Sequence, residues 1–280
     1  MRKVGIVANL RKKEVENILK DLIKYLEKRK KEIFLEESIP IVYKNKFTKA
    51  NIPSDLDLLI VLGGDGTILD ISHNIYFPIP VIGINVGSLG FLTEILSSEM
   101  FEKLDQIFDK KNFFIEKRMR LKVKILEDNN IVNLPSALNE IAIGRSSNLR
   151  IVCIKVYING NYFLEFRGDG IIISTPTGST GYSLSAGGPI IYPTIRVITL
   201  TPICVHLLFT RSIILPENSL IEIISYAKDQ HPILSIDGQI FINLRENAKV
   251  KIQSEDKDFL FLRLKDKTHF ETYRKKFNWK

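Results

Sequence analysis

The first feature of the sequence that suits a chemical role is a glycine-rich turn, Gly63-Gly64-Asp65-Gly66-Thr67, which follows the apolar run at residues 58–62. Glycines there let a phosphate chain approach the backbone, and the helix that follows offers free N–H groups and the positive end of its dipole. A carboxylate repels phosphate, so we predict that Asp65 instead takes a proton from an attacking hydroxyl. The alternative is a plain turn in which Asp65 or Thr67 caps the helix.

A second candidate segment is rich in small and hydroxyl-bearing residues. Seven serine and threonine residues lie between Ser174 and Ser185, after an apolar run and before a short helical stretch. They offer many donors and close backbone access to a polyhydroxylated ligand, and the ring of Tyr182 can stack on a ligand ring. The alternative is an ordinary turn rich in serine and glycine.

The pair Asn139-Glu140 enters a predicted strand and is a third, weaker candidate. A neighbouring amide and carboxylate can bind a base edge or a ribose hydroxyl, although most such pairs simply end strands. Neither a Walker A pattern nor the dinucleotide motif Gly-x-Gly-x-x-Gly occurs in the chain. The chain therefore lacks the usual signatures of a P-loop NTPase and of an ordinary NAD dehydrogenase.

Strands and helices alternate in the first part of the chain. Continuous apolar runs at residues 4–8, 58–62 and 79–84 alternate with helical patterns such as residues 15–26 and 101–108. Such runs are typical of parallel strands covered on both faces. The pattern predicts an α/β domain with a parallel sheet over residues 1–112.

From residue 113 the pattern becomes β-rich. Residues 121–125 alternate strictly between apolar and polar, and Asn159-Gly160 is a strong hairpin-turn signal. We predict a β-rich domain, a β-sandwich, over residues 113–258. The tail at residues 259–280 again has strand and helix character, and we expect it to pack on the first domain.

Composition narrows the classes of partner. The chain has 280 residues with 45% hydrophobic and 26% charged, and 40 Lys+Arg against 32 Asp+Glu give a net charge of +8. An anionic partner fits this charge. Since no sustained basic run is interleaved with aromatic residues, we predict no nucleic-acid partner.

Compartment and metal content also follow from composition. We predict no membrane span, because no apolar run reaches the roughly 20 residues needed, and the apolar run at residues 4–10 is too short for a signal peptide. The two cysteines, Cys153 and Cys204, lie in apolar stretches and the four histidines are scattered, which predicts no disulfide framework and no protein-built metal site. A cytoplasmic location fits.

Taken together, these segments resemble the NAD kinase family, whose members use ATP or polyphosphate. The resemblance follows the family's order and spans most of the chain, through residues 63–67, 83–94, 139–140, 169–189 and 201–204. The glycine-aspartate turn alone is shared with phosphofructokinases and with lipid kinases of the diacylglycerol type, whereas the segment Thr175 to Ser183 is more specific.

The resemblance implies transfer of a phosphoryl group from ATP, or in some members polyphosphate, to the 2′-hydroxyl of the adenosine ribose of NAD, giving NADP. It implies that Asp65 is the catalytic base and that Mg²⁺ or another divalent metal arrives with the nucleotide. It also implies a homodimer or homotetramer. The ligand-binding positions that match the family are Gly64, Asp65, Gly66, Thr67, Phe91, Asn139, Glu140, Arg150, Arg167, Asp169, Thr177, Thr180, Gly181, Tyr182, Ser183, Leu184, Ser185 and Gln239.

Some positions depart from the family pattern. Gly181 stands where alanine is usual, Arg196 stands where an acidic residue is expected, and Val205 and residues 207–210 replace a more polar segment. The last change leaves any role for His206 and Arg211 open. The competing hypotheses are a lipid kinase, which needs an apolar entry for acyl chains, a non-catalytic dinucleotide sensor, and a basic nucleic-acid-binding protein.

Overall fold

The computed structural model describes residues 1–11, 13–88, 90–127, 130–146, 151–205, 211–227, 231–246 and 248–279. The chain forms two compact units, the first containing Met1–Lys117 and Phe259–Lys280 and the second containing Arg118–Asp258. In the described residues no helix has both the length and the apolar character that crossing a membrane requires.

The elements are numbered along the chain. The strands are β1 (Lys3–Ala8), β2 (Glu32–Glu36), β3 (Lys46–Phe47), β4 (Leu58–Leu62), β5 (Val81–Asn85), β6 (Ile95–Leu96), β7 (Phe113–Arg118), β8 (Leu121–Glu127), β9 (Asn130–Asn133), β10 (Glu140–Gly144), β11 (Val152–Ile158), β12 (Asn161–Gly168), β13 (Gly170–Ser174), β14 (Val197–Ile203), β15 (Ile213–Pro216), β16 (Ile221–Tyr226), β17 (Ile233–Ile236), β18 (Ile240–Asn243), β19 (Lys249–Ser254) and β20 (Phe259–Leu264). The α-helices are α1 (Lys13–Lys28), α2 (Asp65–Ser72), α3 (Met100–Phe108), α4 (Tyr182–Ser185) and α5 (His269–Phe277), and 3₁₀ turns occupy Ser97–Glu99 and Thr177–Thr180.

The sheet of the first unit has eight strands in the order β3-β2-β1-β4-β5-β20-β7, with β6 also paired to β5. The pairings of β1 with β2 and β4, and of β5 with β4, β6 and β20, are parallel. From β1 the chain runs first to β2 on one side, whereas β4 lies on the other side. The loops after β1 and β4 therefore open a crevice at the carboxyl ends of the strands, where open α/β sheets bind ligands.

The burial of the central strands agrees with a sheet that is covered on both faces. Every residue of β4 and β5 is buried, as expected for strands covered on both faces. Helix α1 packs Val15, Leu19, Leu22 and Leu26 against the sheet, each at most 1% exposed. These four residues belong to the helical face that the apolar spacing predicts, and the predicted α/β unit with a mostly parallel sheet is confirmed.

The second unit contains two six-stranded sheets, in the orders β15-β14-β13-β10-β17-β18 and β12-β11-β16-β19-β8-β9. All pairings described in them are antiparallel. Inward side chains of both sheets form one buried apolar cluster, with Ile141 and Ile173 from one sheet and Val123, Ile154 and Val250 from the other. This arrangement is a β-sandwich, as predicted.

The boundary between the units lies after Lys117 rather than before Phe113. The β-rich pattern starts at residue 113, but residues 113–118 form β7, the last strand in the order of the first sheet, next to β20. The strict alternation at residues 121–125 belongs to β8, which lies in the second unit. The β-rich pattern therefore begins one strand before the boundary between the units.

Candidate functional site

The glycine turn joins the buried strand β4 to helix α2. Gly64 is the N-cap residue and provides no side-chain cap, and Asp65 is the first helical residue, so neither Asp65 nor Thr67 caps the helix. A Cβ on Gly63 would overlap the side chain of Thr67, which explains the glycine there. The N–H groups of Asp65 and Gly66 precede the first bonds of α2, which run from Thr67 and Ile68 to the carbonyl of Gly64, so this end of α2 suits an anion.

The carboxylate of Asp65 is held by the loop that follows β5. The backbone N–H of Phe91 donates to Oδ2 at 2.8 Å, and those of Leu92 and Thr93 donate to Oδ1 at 3.1 and 3.3 Å. A carboxylate offers about four lone-pair sites, so Oδ2 keeps one that these bonds do not use. Asp65 is half-buried. An oriented carboxylate with one free lone pair is suited to accept a proton.

Two side chains and a glycine hold this loop in place beside Asp65. The side chain of Thr93 accepts the N–H of Gly90 at 2.7 Å, and Asn85 donates to the carbonyl of Ser88 at 2.7 Å. A Cβ on Gly90 would overlap the carboxylate of Asp65. Residue 90 must therefore be glycine for the loop to come this close to Asp65.

A cavity of about 190 Å³ lies beside the turn, where β1, β4 and β5 end. It is lined by Asn9, Arg11, Val15, Gly63, Gly64, Asn85 and Val86. The guanidinium of Arg11 is exposed here, and the side chain of Asn9 reaches Thr67 at 3.4 Å. Asn9 and Arg11 were missed in the sequence, because only the sheet order brings the end of β1 beside the end of β4.

Phe91 packs within its own unit against the last helix. Its ring centroid lies 6.3 Å from that of Tyr273 and 5.5 Å from that of Phe277, and the Nζ of Lys276 lies 5.7 Å from its ring. The backbone of Phe91 contacts Asp65, while the side chain joins an aromatic cluster. The predicted contact of Phe91 with the ligand stays a prediction.

In the second unit, the Asn139-Glu140 pair is anchored by Asp237. The buried Asp237 carboxylate accepts the N–H groups of Leu138 and Asn139, both at 2.8 Å, and of Glu140 at 2.9 Å. Asp237 is not among the positions predicted from the sequence. Its role as an anchor depends on the pairing of β10 with β17, which no local pattern reveals.

The side chains of this pair carry unused polar atoms. Asn139 Oδ1 and Glu140 Oε2 are buried and have no hydrogen-bond partner among the described residues. Burial and then the nearby Asp237 raise the pKa of Glu140 to about 8, opposed by the backbone N–H of Tyr182, which donates to it. Glu140 is thus a neutral carboxylic acid at pH 7. Buried polar atoms normally find partners, so these two favour a polar ligand.

We expect the variant Glu140→Gln to change how stability depends on pH. Between about pH 4.5 and pH 8 the folded chain keeps a proton that the unfolded chain releases, so the wild type loses stability as pH rises through this window. The slope is at most about 1.4 kcal/mol per pH unit. The gain in melting temperature from Glu140→Gln should therefore grow from pH 5 to pH 8. The exposed Glu246→Gln is the control, and parallel pH curves for wild type and Glu140→Gln would contradict the buried neutral acid.

In the hydroxyl-rich segment, some side chains are buried and hold the turn, whereas others lie at the surface. Thr177 accepts a bond from Arg118 at 3.1 Å, and Ser183 bonds Thr201 at 3.1 Å, and both are buried. Ser179 bonds the carbonyls of Pro176 and Ile191. Thr180, Gly181 and Leu184 are half-buried, and Tyr182 and Ser185 are exposed. The structure thus brings Tyr182 beside Glu140 and uses several neighbouring hydroxyls to hold the turn.

Two glycines in this segment lie close to the pair. A Cβ on Gly178 would overlap the backbone of Asn139, so this contact requires glycine. A Cβ on Gly181 would lie 2.8 Å from Glu140 Oε2 and 3.4 Å from Asn139 Nδ2. The absence of a methyl group at residue 181 therefore leaves space beside the unused Glu140 Oε2 and the Asn139 amide group.

The remaining predicted positions lie around the second unit's sheets. Arg167 is exposed on β12, Gln239 is exposed between β17 and β18, and Asp169 forms an ion pair with Arg145 at 3.2 Å. Arg150 and His206 lie outside the described residues. Arg196, where an acidic residue was expected, pairs with Glu217 and also with Asp258 at 2.9 Å.

No group of three or more His, Cys, Asp or Glu residues that could hold a metal occurs in the part of the chain that the structure describes. His73 is buried, and His269 bonds Glu116 at 2.7 Å. Mg²⁺ commonly binds through substrate phosphates and water rather than in an all-protein cage.

Comparison with known proteins agrees with this geometry. The family model for the ATP-NAD kinase N-terminal domain matches residues 4–112, and the model for the ATP-NAD kinase C-terminal domain matches residues 138–264. The chain is 39% identical to the NAD kinase of Caldanaerobacter subterraneus subsp. tengcongensis, over 99% of each chain. It is 34% identical to the NAD kinase of Syntrophotalea carbinolica, over 100% of this chain and 99% of the relative.

Two solved structures share the fold. Yeast NADH kinase complexed with NADH has a TM-score of 0.85 at 24% identity, covering 98% of this chain and 86% of that one. An NAD kinase from Archaeoglobus fulgidus in complex with ATP has a TM-score of 0.79 at 23% identity, covering 99% of both. Since both family models match in order and the relatives match end to end, the chain belongs to the ATP-NAD kinase family.

Proposed function

We propose that the chain transfers the γ-phosphoryl group of ATP to the 2′-hydroxyl of the adenosine ribose of NAD, giving NADP and ADP. The observation that carries this proposal is the carboxylate of Asp65, held by three backbone N–H groups at a glycine turn suited to phosphate. The relatives named NAD kinase supply the substrate pair.

The donor phosphates are assigned to the crevice at the glycine turn. Gly64, Gly66 and Thr67 offer backbone and hydroxyl donors there, and Arg11 brings a guanidinium to the adjoining cavity. A guanidinium binds phosphate oxygens in a bidentate manner. Mg²⁺, delivered with ATP, neutralises charge on the phosphates when bound.

The acceptor is assigned to the second unit. The unused oxygens of Asn139 and Glu140 suit the base and ribose of NAD, since the neutral Glu140 can donate and Asn139 Oδ1 can accept. Thr177, Thr180, Gly181, Ser183, Leu184 and Ser185 complete the proposed pocket, with Phe91, Arg150, Arg167, Asp169 and Gln239 as further contacts carried over from the family resemblance.

The chemical step is a direct in-line transfer. The free lone pair of Asp65 Oδ2 accepts the proton of the 2′-hydroxyl as that oxygen attacks the γ-phosphorus, and the bond to the β,γ-bridging oxygen breaks to release ADP. The three N–H donors keep the carboxylate oriented, so little reorganisation accompanies the step. No covalent enzyme intermediate is needed.

The variant Tyr182→Ala should act mainly on NAD affinity. The Tyr182 side chain is 47% exposed beside Glu140, where it can stack on adenine. Stacking a base on an aromatic ring contributes about 1–3 kcal/mol, so we expect the KM for NAD to rise about tenfold with kcat nearly unchanged. Tyr162→Ala, a 59% exposed tyrosine on β12, is the matched control. An unchanged KM for NAD in a folded Tyr182→Ala protein would refute the pocket.

The proposal is tested by incubating the purified chain with NAD, ATP and Mg²⁺ and detecting NADP with an NADP-specific dehydrogenase. Formation of NADP is the expected result. NADP formed only with polyphosphate would change the donor and keep the acceptor. No NADP with either donor would reject the proposal and favour a lipid kinase or a dinucleotide sensor.

We also propose that the chain acts as a homodimer or homotetramer in the cytoplasm. The edge strand β9 supports assembly, because all four of its residues are exposed and include Ile131 and Val132, 60% and 46% exposed. Unpaired apolar edge strands favour association. Light scattering on the purified protein at micromolar concentration tests this, and a monomer would contradict it.

A further inference from the structure

The loop that holds Asp65 is itself held by the end of the chain. We call residues 90–94 the clamp loop, because the N–H groups of Phe91, Leu92 and Thr93 bind the Asp65 carboxylate. One end of this loop is fixed by the sheet, since the N–H of Glu94 donates to the carbonyl of Gly83 at 2.9 Å. Further contacts with this loop come from residues 259–279.

The first contact is aromatic. The ring of Phe91 packs against Tyr273 and Phe277 of α5, with centroids 6.3 and 5.5 Å apart, and Tyr273 is only 7% exposed. Phe91 is the clamp-loop residue whose N–H makes the shortest of the three bonds to Asp65, at 2.8 Å. A shift of its ring would therefore move the donor closest to the carboxylate.

The second contact is ionic and buried. The carboxylate of Glu94 pairs with Arg263 Nε at 2.8 Å, with both side chains at most 6% exposed, and accepts the N–H of Leu264 at 2.9 Å. Lys267 donates to the carbonyl of Glu94 at 2.9 Å. Burial raises the pKa of Glu94, and Arg263 opposes this shift. The ion pair and the two hydrogen bonds tie the clamp loop to β20 and the segment after it.

Helix α5 is also fastened independently of the clamp loop. Thr268 caps it by accepting the N–H of Glu271, and the buried His269 bonds Glu116 of β7 at 2.7 Å. The helix thus has a fixed place in the first unit without Phe91. Because α5 is held in place independently, it can support the clamp loop that packs on it.

We infer that the C-terminal segment 259–279 positions the catalytic base, with Phe277 and Arg263 acting through the clamp loop on the orientation of Asp65. This inference rests on the proposed function and deepens it. Phe277 is a positioning residue, because its contact with the reacting carboxylate runs through Phe91. If the segment had a purely structural role, its variants would lower stability, and their effect on kcat would not depend on Asp65.

The test begins with Phe277→Ala, Phe277→Leu and Phe270→Ala. We expect Phe277→Ala to lower kcat about tenfold, because misplacing a catalytic group by a fraction of an ångström is costly, and to change the KM for ATP and NAD less than about threefold. Phe277→Leu should restore most of kcat by filling the same space. Phe270→Ala is the matched control, since Phe270 lies on the same helix with its side chain 62% exposed.

The deciding measurement combines Phe277→Ala with Asp65→Asn. If Phe277 acts through the base, Phe277→Ala should cause no further loss of kcat once the base has been removed. The double variant should then be no slower than Asp65→Asn alone. A further tenfold loss in the double variant, or an unchanged kcat in folded Phe277→Ala, would overturn the inference. Failure of the proposed function is distinguishable, since then the wild type itself forms no NADP.

Discussion

Replacing Asp65 by asparagine is expected to lower kcat by about 10²-fold or more, with NAD binding and the fold retained. An amide cannot accept the proton of the attacking hydroxyl. Its NH₂ group would also face at least one of the three backbone N–H donors and cannot accept from it. The clamp loop therefore loses part of its hydrogen bonding to residue 65. Steady-state kcat, the KM for NAD and the melting temperature are the quantities to measure.

Asp70→Asn is the matched control for this variant. Asp70 lies on the same helix, is half-buried and forms an ion pair with Lys49, away from the clamp loop. Its removal should leave kcat near the wild-type value. Near-normal turnover in Asp65→Asn would exclude Asp65 as the general base.

Introducing a single methyl group with Gly90→Ala should have an effect of similar size. The new Cβ would overlap the Asp65 carboxylate, so the carboxylate or the clamp loop must move. A displacement of this kind at a catalytic group costs about 10²-fold in rate. Because no ligand-binding side chain is removed, the loss should fall on kcat rather than on the KM for NAD.

Gly64→Ala tests whether the effect is specific to residue 90 or follows from any methyl group added near the turn. A Cβ on Gly64 meets no atom within 4 Å, so the turn and Asp65 should keep their places. Any effect of Gly64→Ala should appear in the KM for ATP, since Gly64 lines the cavity assigned to the donor. Equal losses of kcat in the two variants would contradict the specific contact between residue 90 and Asp65.

The continuous apolar strands and the turn that follows one of them were predictable from sequence. Strand β4 and its glycine turn are local features, because a buried strand needs apolar residues throughout and the turn needs glycine where Thr67 crowds the backbone. The hairpin at Asn159-Gly160 was predictable for the same reason, since both residues adopt positive φ.

Features that depend on contacts between distant segments were not predictable. The clamp loop meets Asp65 across 26 to 28 residues, and Asp237 anchors residues 138–140 across 97 to 99. Strand β2 was missed, because it is short and begins and ends with glutamate. Among the hydroxyls, composition could not separate Thr177 and Ser183, which hold the scaffold, from the exposed Ser185.

The most direct test of direct phosphoryl transfer follows the γ-phosphate of ATP itself. The chain would be incubated with ATP labelled in that group, NAD and Mg²⁺, and the label, ADP and NADP would be quantified together. The account predicts one labelled NADP for each ADP, with no label on the protein. ADP released without NADP at saturating NAD, or label retained on the protein, would contradict it.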